Sequence, residues 1–276
     1  MRLIVMNLAR PSGRNRSTTR SIQLLNIAID NITMDELLER FQEGTLLTVH
    51  SDMLMKLQKD REFYELSHRF DYVTCDSQIL AFATRFLGSP VPHRISGSDF
   101  LPRFYQLHRN NPDVTLFLLG GVGDVAARAR AAINRRVGRE IVVDALSPPV
   151  GAEQDDAFCQ EILCRINTSR ATVLVIGMGA PKQERFLFKY KDHLPHVRMF
   201  LPLGGTLDYE AGTMKRPPSW VSNVGLEWAY RIAQEPTKRW KRYLVDDMPV
   251  LYLILRQKLG LYQNPFRLPD QRPGGG

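Results

Sequence analysis

The chain is poor in cysteine and has no long apolar run. Its three cysteines, Cys75, Cys159 and Cys164, are odd in number and lack metal-ligand spacing. That excludes a disulfide-stapled miniprotein and fits a reducing compartment. A membrane-crossing helix needs roughly 20 apolar residues, and the longest run toward the C-terminus is MPVLYLIL at 248–255. The opening MRLIVMNLARPSGRNRSTTR has only a brief apolar patch before its arginines, unlike a secretory signal. Asp-x-Asp, which holds Mg²⁺ or Mn²⁺ against a nucleotide diphosphate, is missing, so no metal site is expected. The loop G-x-x-x-x-G-K-[ST] and the elbow G-x-S-x-G are missing too, which disfavours P-loop hydrolysis of ATP and serine hydrolase chemistry. Glycine (19) and proline (17) are ordinary for 276 residues, so no low-complexity segment dominates.

What remains is a folded globular composition, 43% apolar and 24% charged. The formal net charge of +8 is unevenly spread. Residues 1–20 carry five arginines and no acid, 21–212 carry 21 basic and 24 acidic side chains, and 213–276 carry 11 and 5. Basic ends on a slightly acidic body point to an anionic partner: a membrane surface, a nucleic acid or a phosphorylated substrate.

The body alternates strand and helix patterns. Apolar strands are expected at 22–30 (a strand or strand pair), 46–50, 72–76, 115–121, 140–146, 171–179 and 197–205. Helices follow them, one capped by Thr33, one over 51–66, one closed by Gly88, and others over 124–137, 155–167 and from Lys182. Continuously apolar strands separated by helices imply an α/β, Rossmann-like parallel sheet covered by helices on both faces. The expected division is a basic tail at 1–20 read as flexible, a catalytic domain at 21–212, a basic, aromatic-rich helical appendage at 213–262, and a second flexible tail at 263–276.

Such sheets bind ligands at the carboxyl ends of their strands, and polar or glycine clusters fall there: Thr48 to Asp52, Asp76 to Gln78, Gly120 to Gly123, Gly177 to Glu184, and Gly204 to Asp208. The turn with Gly120 and Gly121 resembles G-x-G-x-x-G only loosely, because Ala126 replaces the last glycine. It reads as a tight strand–helix turn or as a backbone approach to a diphosphate. Asp76, ending an apolar strand, is a general base or a helix cap. His50 is a base or a hydrogen-bonded core histidine. Arg94 suits bidentate phosphate contacts, whereas Asp99 caps a helix or pairs with Arg94.

In the appendage, Trp220, Trp228, Tyr230, Trp240, Tyr243 and Tyr252 interleave with Arg231, Lys238, Arg239, Lys241 and Arg242. That composition fits a helix lying in a membrane interface. It also fits a packing helix with a solvated basic face, or a single-stranded nucleic-acid binder; the acidic body argues against nucleic acid.

The runs GMGAPKQERFL and LPLGGTLDYEAGTMKRPPSWVSNVGLEWAYRIAQEPTKRWKRYL, with TVHSDML, CDSQIL and RISGSD upstream, closely resemble the WecG/TagA/CpsF glycosyltransferases over roughly residues 22 to 245. The resemblance implies inverting, metal-independent transfer of a sugar, with no cofactor. The donor is a nucleotide sugar, usually UDP-linked (UDP-N-acetylmannosamine, its uronic acid or UDP-glucose), and the acceptor a polyprenyl-diphosphate-linked saccharide of cell-surface polysaccharide synthesis. Carried across residue by residue, the base is Asp76, the threonine near the donor Thr48, and the glutamine Gln183. Arg94 is the arginine of R-x-x-G-x-D, and Arg231, Arg239 and Arg242 are the appendage arginines meeting the diphosphate. Around them Gly177, Gly179, Pro181, Glu184, Gly204, Gly205 and Asp208 are candidate substrate contacts. His50 and Ser77 depart from the family pattern, which has Asn and Gly there, at positions where donor sugar or base would be read.

The expected setting is the cytoplasm, peripheral at the inner face of a bacterial membrane bound through the appendage, with self-association a further expectation. Two rivals come from other classes. A nicotinamide-dependent nucleotide-sugar oxidoreductase would use the Gly120–Gly123 turn, but the chain has no Tyr-x-x-x-Lys pair. A non-catalytic membrane or nucleic-acid binding protein would use only the appendage.

Overall fold

The structure, a computed structural model, describes residues 21–215, 221, 229–230 and 249–266. Six strands form one parallel sheet: β3 (Gly44–Val49), β4 (Tyr72–Cys75), β5 (Leu116–Gly120), β6 (Val142–Leu146), β7 (Val173–Gly177) and β8 (Met199–Pro202), ordered β4-β3-β8-β7-β5-β6. The stretch read as 22–30 is a separate antiparallel hairpin, β1 (Ser21–Leu24) and β2 (Ile27–Asp30), turned at Leu25 and Asn26.

Alternation along each strand builds two cores. Leu47, Val49, Phe117, Leu119, Leu174, Ile176 and Phe200 face one cluster. It is covered by α2 (Ser51–Leu57), α3 (Arg61–Ser67), α4 (Gln78–Phe86), α7 (Asp156–Ser169), α8 (Lys182–Tyr190) and α10 (Pro249–Lys258). Leu46, Leu116, Leu118, Val173, Val175, Met199 and Leu201 face the other, under α1 (Met34–Arg40), α5 (Gly97–Leu107), α6 (Val125–Val137) and α9 (Thr206–Ala211). The Rossmann-like α/β expectation holds.

Local signals place the ends of these elements. Thr33 caps α1 in a full capping box with Glu36, and Asp155 caps α7 by accepting from the amides of Ala157 and Phe158. The single helix expected over 51–66 is two. Asp60 accepts the Phe63 amide as a fresh N-cap, so the chain restarts there rather than running through. The α10 segment returns to the body, burying Val250 and Ile254 in the first core. Beyond it, Tyr262 donates to the Gln58 side chain at 2.7 Å and Asn264 to the Tyr64 hydroxyl at 2.9 Å. Among the described residues, no helix is long and apolar enough to cross a membrane.

Candidate active site

The chain leaves β3 and β7 toward one face of the sheet, into α2 and α8, and leaves β5 and β8 toward the other, into α6 and α9. Neighbouring strands whose connections part this way open a crevice at their carboxyl ends. The register locates it. β3 pairs with β4 all the way to Val49–Cys75, and β7 with β8 to Ile176–Pro202. Between β3 and β8 the ladder covers only Gly44–Met199 and Thr45–Phe200. Past Thr45 the ladder between these two strands stops, β8 ending at Pro202, and the notch at their unpaired carboxyl ends is the candidate site.

One wall is made of side chains. Thr48 is buried on β3 beside Thr74 of β4. Because Val49 and Cys75 are in register, the next residues, His50 and Asp76, stand side by side at the rim, with the Asp76 amide donating to the Val49 carbonyl at 2.8 Å. Asp76 is half-buried. It does not cap α4, whose N-cap position is Ser77. His50 is neither core nor free: it caps α2, its Nδ1 accepting from the Met53 amide at 3.4 Å. Arg94 reaches beneath Asp76, donating to its carbonyl at 3.3 Å and to Asp99 at 2.8 Å, while Ser96 donates to the same Asp99 oxygen at 2.7 Å. The Arg94–Asp99 pairing expected from sequence is present. Burial pushes the neighbouring Cys75 thiol up to about 12, which keeps it protonated and removes it as a nucleophile.

The opposite wall is made of main chain. Gln183 is buried on α8, and its Oε1 accepts from the amides of Gly179 at 3.2 Å and Gly204 at 3.1 Å. Its Nε2 donates to the Pro202 carbonyl at 3.2 Å and to Glu184 at 2.8 Å. Every hydrogen-bonding site of that amide is committed, and together they pin the β7 and β8 loops to each other. Glu184 is fully buried behind it, and its second oxygen has no hydrogen-bond partner. Burial pushes its carboxyl up to about 7 against the opposing pull of Gln183, Lys56 and Arg185. Gly177, Pro181 and Gly205 complete these loops, and the Asp208 carbonyl accepts from the Thr213 and Met214 amides where α9 closes. One strand further out, Gly120 sits at φ +132° against the Gly177 carbonyl, leaving no room for a Cβ, and the Gly121 amide donates to that carbonyl at 3.1 Å. Both glycines therefore serve a tight turn and close strand approach.

Two latches tie the walls together. On one face Lys56 of α2 donates to the Ala180 carbonyl at 2.9 Å, held by Asp52 at the same distance. On the other, Gly97 opens α5 so closely against β8–α9 that a Cβ would lie 2.9 Å from the Thr206 hydroxyl. Sequence reading missed both. Lys56 offers only its i,i+4 spacing from Asp52, and the need at Gly97 is created by residues over a hundred positions away. Arg231, Arg239 and Arg242 lie outside the described residues. An open depression of 550 Å³ between β6 and α7 is away from this rim, and its Asp144 is already held by Arg165 at 2.6 and 2.8 Å. No group of three or more His, Cys, Asp or Glu able to hold a metal occurs among the described residues.

A parallel α/β sheet with polar side chains after β3 and β4 and glycine turns after β7 and β8 has the kind of carboxyl-end rim at which such folds bind ligands. The chain belongs to the WecG/TagA/CpsF family of glycosyltransferases, whose profile matches residues 22–264. It is thus a glycosyltransferase of cell-surface polysaccharide synthesis. It is similar to an N-acetylglucosaminyldiphosphoundecaprenol N-acetyl-beta-D-mannosaminyltransferase of Staphylococcus aureus (strain MW2), 24% identical over 259 residues, 88% of this chain and 95% of the relative.

Proposed function

We propose that the enzyme transfers an N-acetylhexosaminyl group, or a close relative of one, from a UDP-linked donor to a polyprenyl-diphosphate-linked saccharide with inversion. The observation that carries this reading is the rim itself, with Asp76 directly after the end of β4 and glycine turns directly after β7 and β8. The relative's name supplies the substrate class, a sugar moved onto N-acetylglucosaminyl-diphosphoundecaprenol.

In this mechanism Asp76 takes the proton of the acceptor hydroxyl, whose oxygen forms the new bond to the anomeric carbon as the bond to the UDP oxygen breaks from the opposite side. Arg94 and the Val49 carbonyl hold the Asp76 backbone so that its carboxylate stays on the rim. The departing diphosphate gains negative charge, which backbone N–H groups of the glycine turns at 177–179 and 204–205 can meet. The Gly179 and Gly204 amides are engaged with Gln183, so Gln183 acts by shaping those turns, and the remaining N–H groups of the loops are the donors. Arg231, Arg239 and Arg242 supply cationic charge to the diphosphate, and the appendage's basic, aromatic composition brings the enzyme to the membrane that holds its acceptor. Thr48 and His50 line the donor side, and His50, where the family has Asn, is the first residue to examine for donor choice.

The test is UDP release by the full chain with a panel of UDP-sugars and a polyprenyl-diphosphate-linked N-acetylglucosamine, with the product's anomeric configuration read by NMR. Release that requires both substrates, with an inverted product, is expected. UDP-sugar turnover that ignores the lipid acceptor, or a retained configuration, overturns the reading.

A further inference from the structure

Glu184 is a buried acid to which the transfer chemistry gives no task. It lies fully buried in the first turn of α8, yet only half of its carboxyl is used. One oxygen accepts from Gln183 at 2.8 Å, and the other has no hydrogen-bond partner. A carboxylate held away from water with an unanswered oxygen is costly unless a cation comes to it, whereas the neutral carboxyl costs far less. The charge of Glu184 is therefore tied to the cations beside it.

Two cations act on it, Lys56 of α2 and Arg185 of its own helix. Arg185 is already spent on the α3 end, 2.6 Å from the Asp60 carboxylate and 2.8 Å from Glu62. Lys182, which starts α8, pairs with Glu153, and Lys189, near the other end, pairs with Asp156. On α3, Arg61 pairs with Glu65. The turn after α8 carries Lys191, Asp192 and His193 at the end of the helix far from Glu184. The strand packed against α8, β8, brings no ionisable side chain. Lys56 is different. It donates to the Asp52 carboxylate and the Ala180 carbonyl, each at 2.9 Å, so one of its three N–H donors has no partner among the described residues. Ala180 lies four residues before Glu184, which sets the ammonium at the turn leading into this helix.

We propose that Glu184 is a positioning residue for the donor loop and acts through Lys56. With its proton on, Glu184 leaves Lys56 on Ala180, and the loop stays tied to α2. With its proton off, the buried carboxylate draws the ammonium from the carbonyl, and the loop at 177–181 loosens. Burial is the main reason the carboxyl titrates near 7, so the change falls around neutral pH. This rests on the glycosyl-transfer reading in one respect, that the β7 loop meets the nucleotide donor. Asp76 and its chemistry are untouched, so the effect falls on donor KM and not on kcat.

The test is donor KM and kcat of the full chain between about pH 6 and pH 8.5, for wild type, Glu184→Gln and Lys56→Met, beside hydrogen exchange of the loop amides. Wild-type KM should rise about threefold across that range, the same loss that cutting the latch gives, while kcat follows one pH curve in all three enzymes. Glu184→Gln keeps an acceptor for Gln183 but cannot ionise, so it should hold the low KM throughout. Lys56→Met should start about threefold higher and stay there. Loop exchange, corrected for intrinsic rates, should quicken with pH in wild type alone. His50 is common to all three enzymes, so any titration of its own cancels in the comparison. A wild-type KM that ignores pH, or one that rises equally in Glu184→Gln, overturns the proposal. So does a Glu184→Gln that gains stability at high pH without changing the KM profile, since the carboxyl is then structural only. Should no UDP-sugar turn over with the lipid-linked acceptor, the glycosyl-transfer reading falls and loop exchange decides the latch. Rates that quicken with pH in wild type and not in Glu184→Gln keep it, and equal rates sink it.

Discussion

The two walls of the notch are built on different principles. The β3–β4 wall offers side chains, with Thr48, His50 and Asp76 carried at the ends of strands that stay in register to their last residue, and Arg94 reaching in from the loop before α5. The β7–β8 wall offers main chain, with glycine turns whose shape is imposed from behind by the buried Gln183 amide. One wall can change its chemistry by exchanging a side chain. The other can change only by altering the packing that holds its backbone. Substitutions on the first should therefore separate activity from stability, and substitutions on the second should move both.

The sharpest way to break this contrast is Asp76→Asn. Turnover should fall by about 10²-fold or more with donor KM nearly unchanged and melting temperature unmoved; full turnover would remove the carboxylate from the chemistry. Next comes Gln183→Glu, which discards both amide donors and sets a carboxylate against the Pro202 carbonyl and Glu184. Activity should drop about tenfold, and denaturant unfolding should show a loss of about 2–4 kcal/mol from buried groups left unpaired. A variant with wild-type stability but no activity would place Gln183 among the reacting groups instead. Lys56→Met, which cuts the latch to Ala180, should raise donor KM about threefold with little change in kcat, since the lysine is partly exposed and holds the loop through one hydrogen bond. An unchanged KM would show that the loop holds its shape without α2.

Glu184→Gln should affect activity least and yield most about stability. The folded carboxyl titrates near 7 against an ordinary value of 4.5, so the native state keeps its proton where the unfolded chain has lost it. Wild-type stability is therefore fully present below pH 4.5, erodes as pH rises toward 7 and then levels. A non-ionising Gln removes that slope, so wild type should lose about 3 kcal/mol relative to the variant across the window. Parallel stability curves in paired denaturant titrations would show that the carboxyl is not buried as described.

Sequence pattern carried much of the architecture. Continuous apolar runs marked the parallel strands, Thr33 and Asp155 marked helix starts, and glycines marked the rim. The order of strands did not show, because β8 inserts between β3 and β7 through contacts among residues far apart in the chain. For the same reason the notch, which exists only where β3 and β8 stop pairing, has no local signature. The break at Asp60 was not legible, because the apolar period runs across it and the restart shows only in the Asp60 side chain accepting the Phe63 amide. At the site, Asp76 and Arg94 stood out because their chemistry is written in their side chains. The duty of Gln183 depends on Gly204 and Pro202, which no spacing within its own helix reveals.

The last described helix also reaches back to the first hairpin. Gln257 accepts the Leu25 amide at 2.8 Å and donates to the Gln23 carbonyl at 3.0 Å, closing a turn in which Leu25 itself adopts φ +52°. During synthesis, that turn therefore emerges from the ribosome more than two hundred residues before the side chain that satisfies it. A nascent chain halted before position 257 leaves the Leu25 amide to water, so this hairpin acquires its side-chain clasp only after more than two hundred further residues are made.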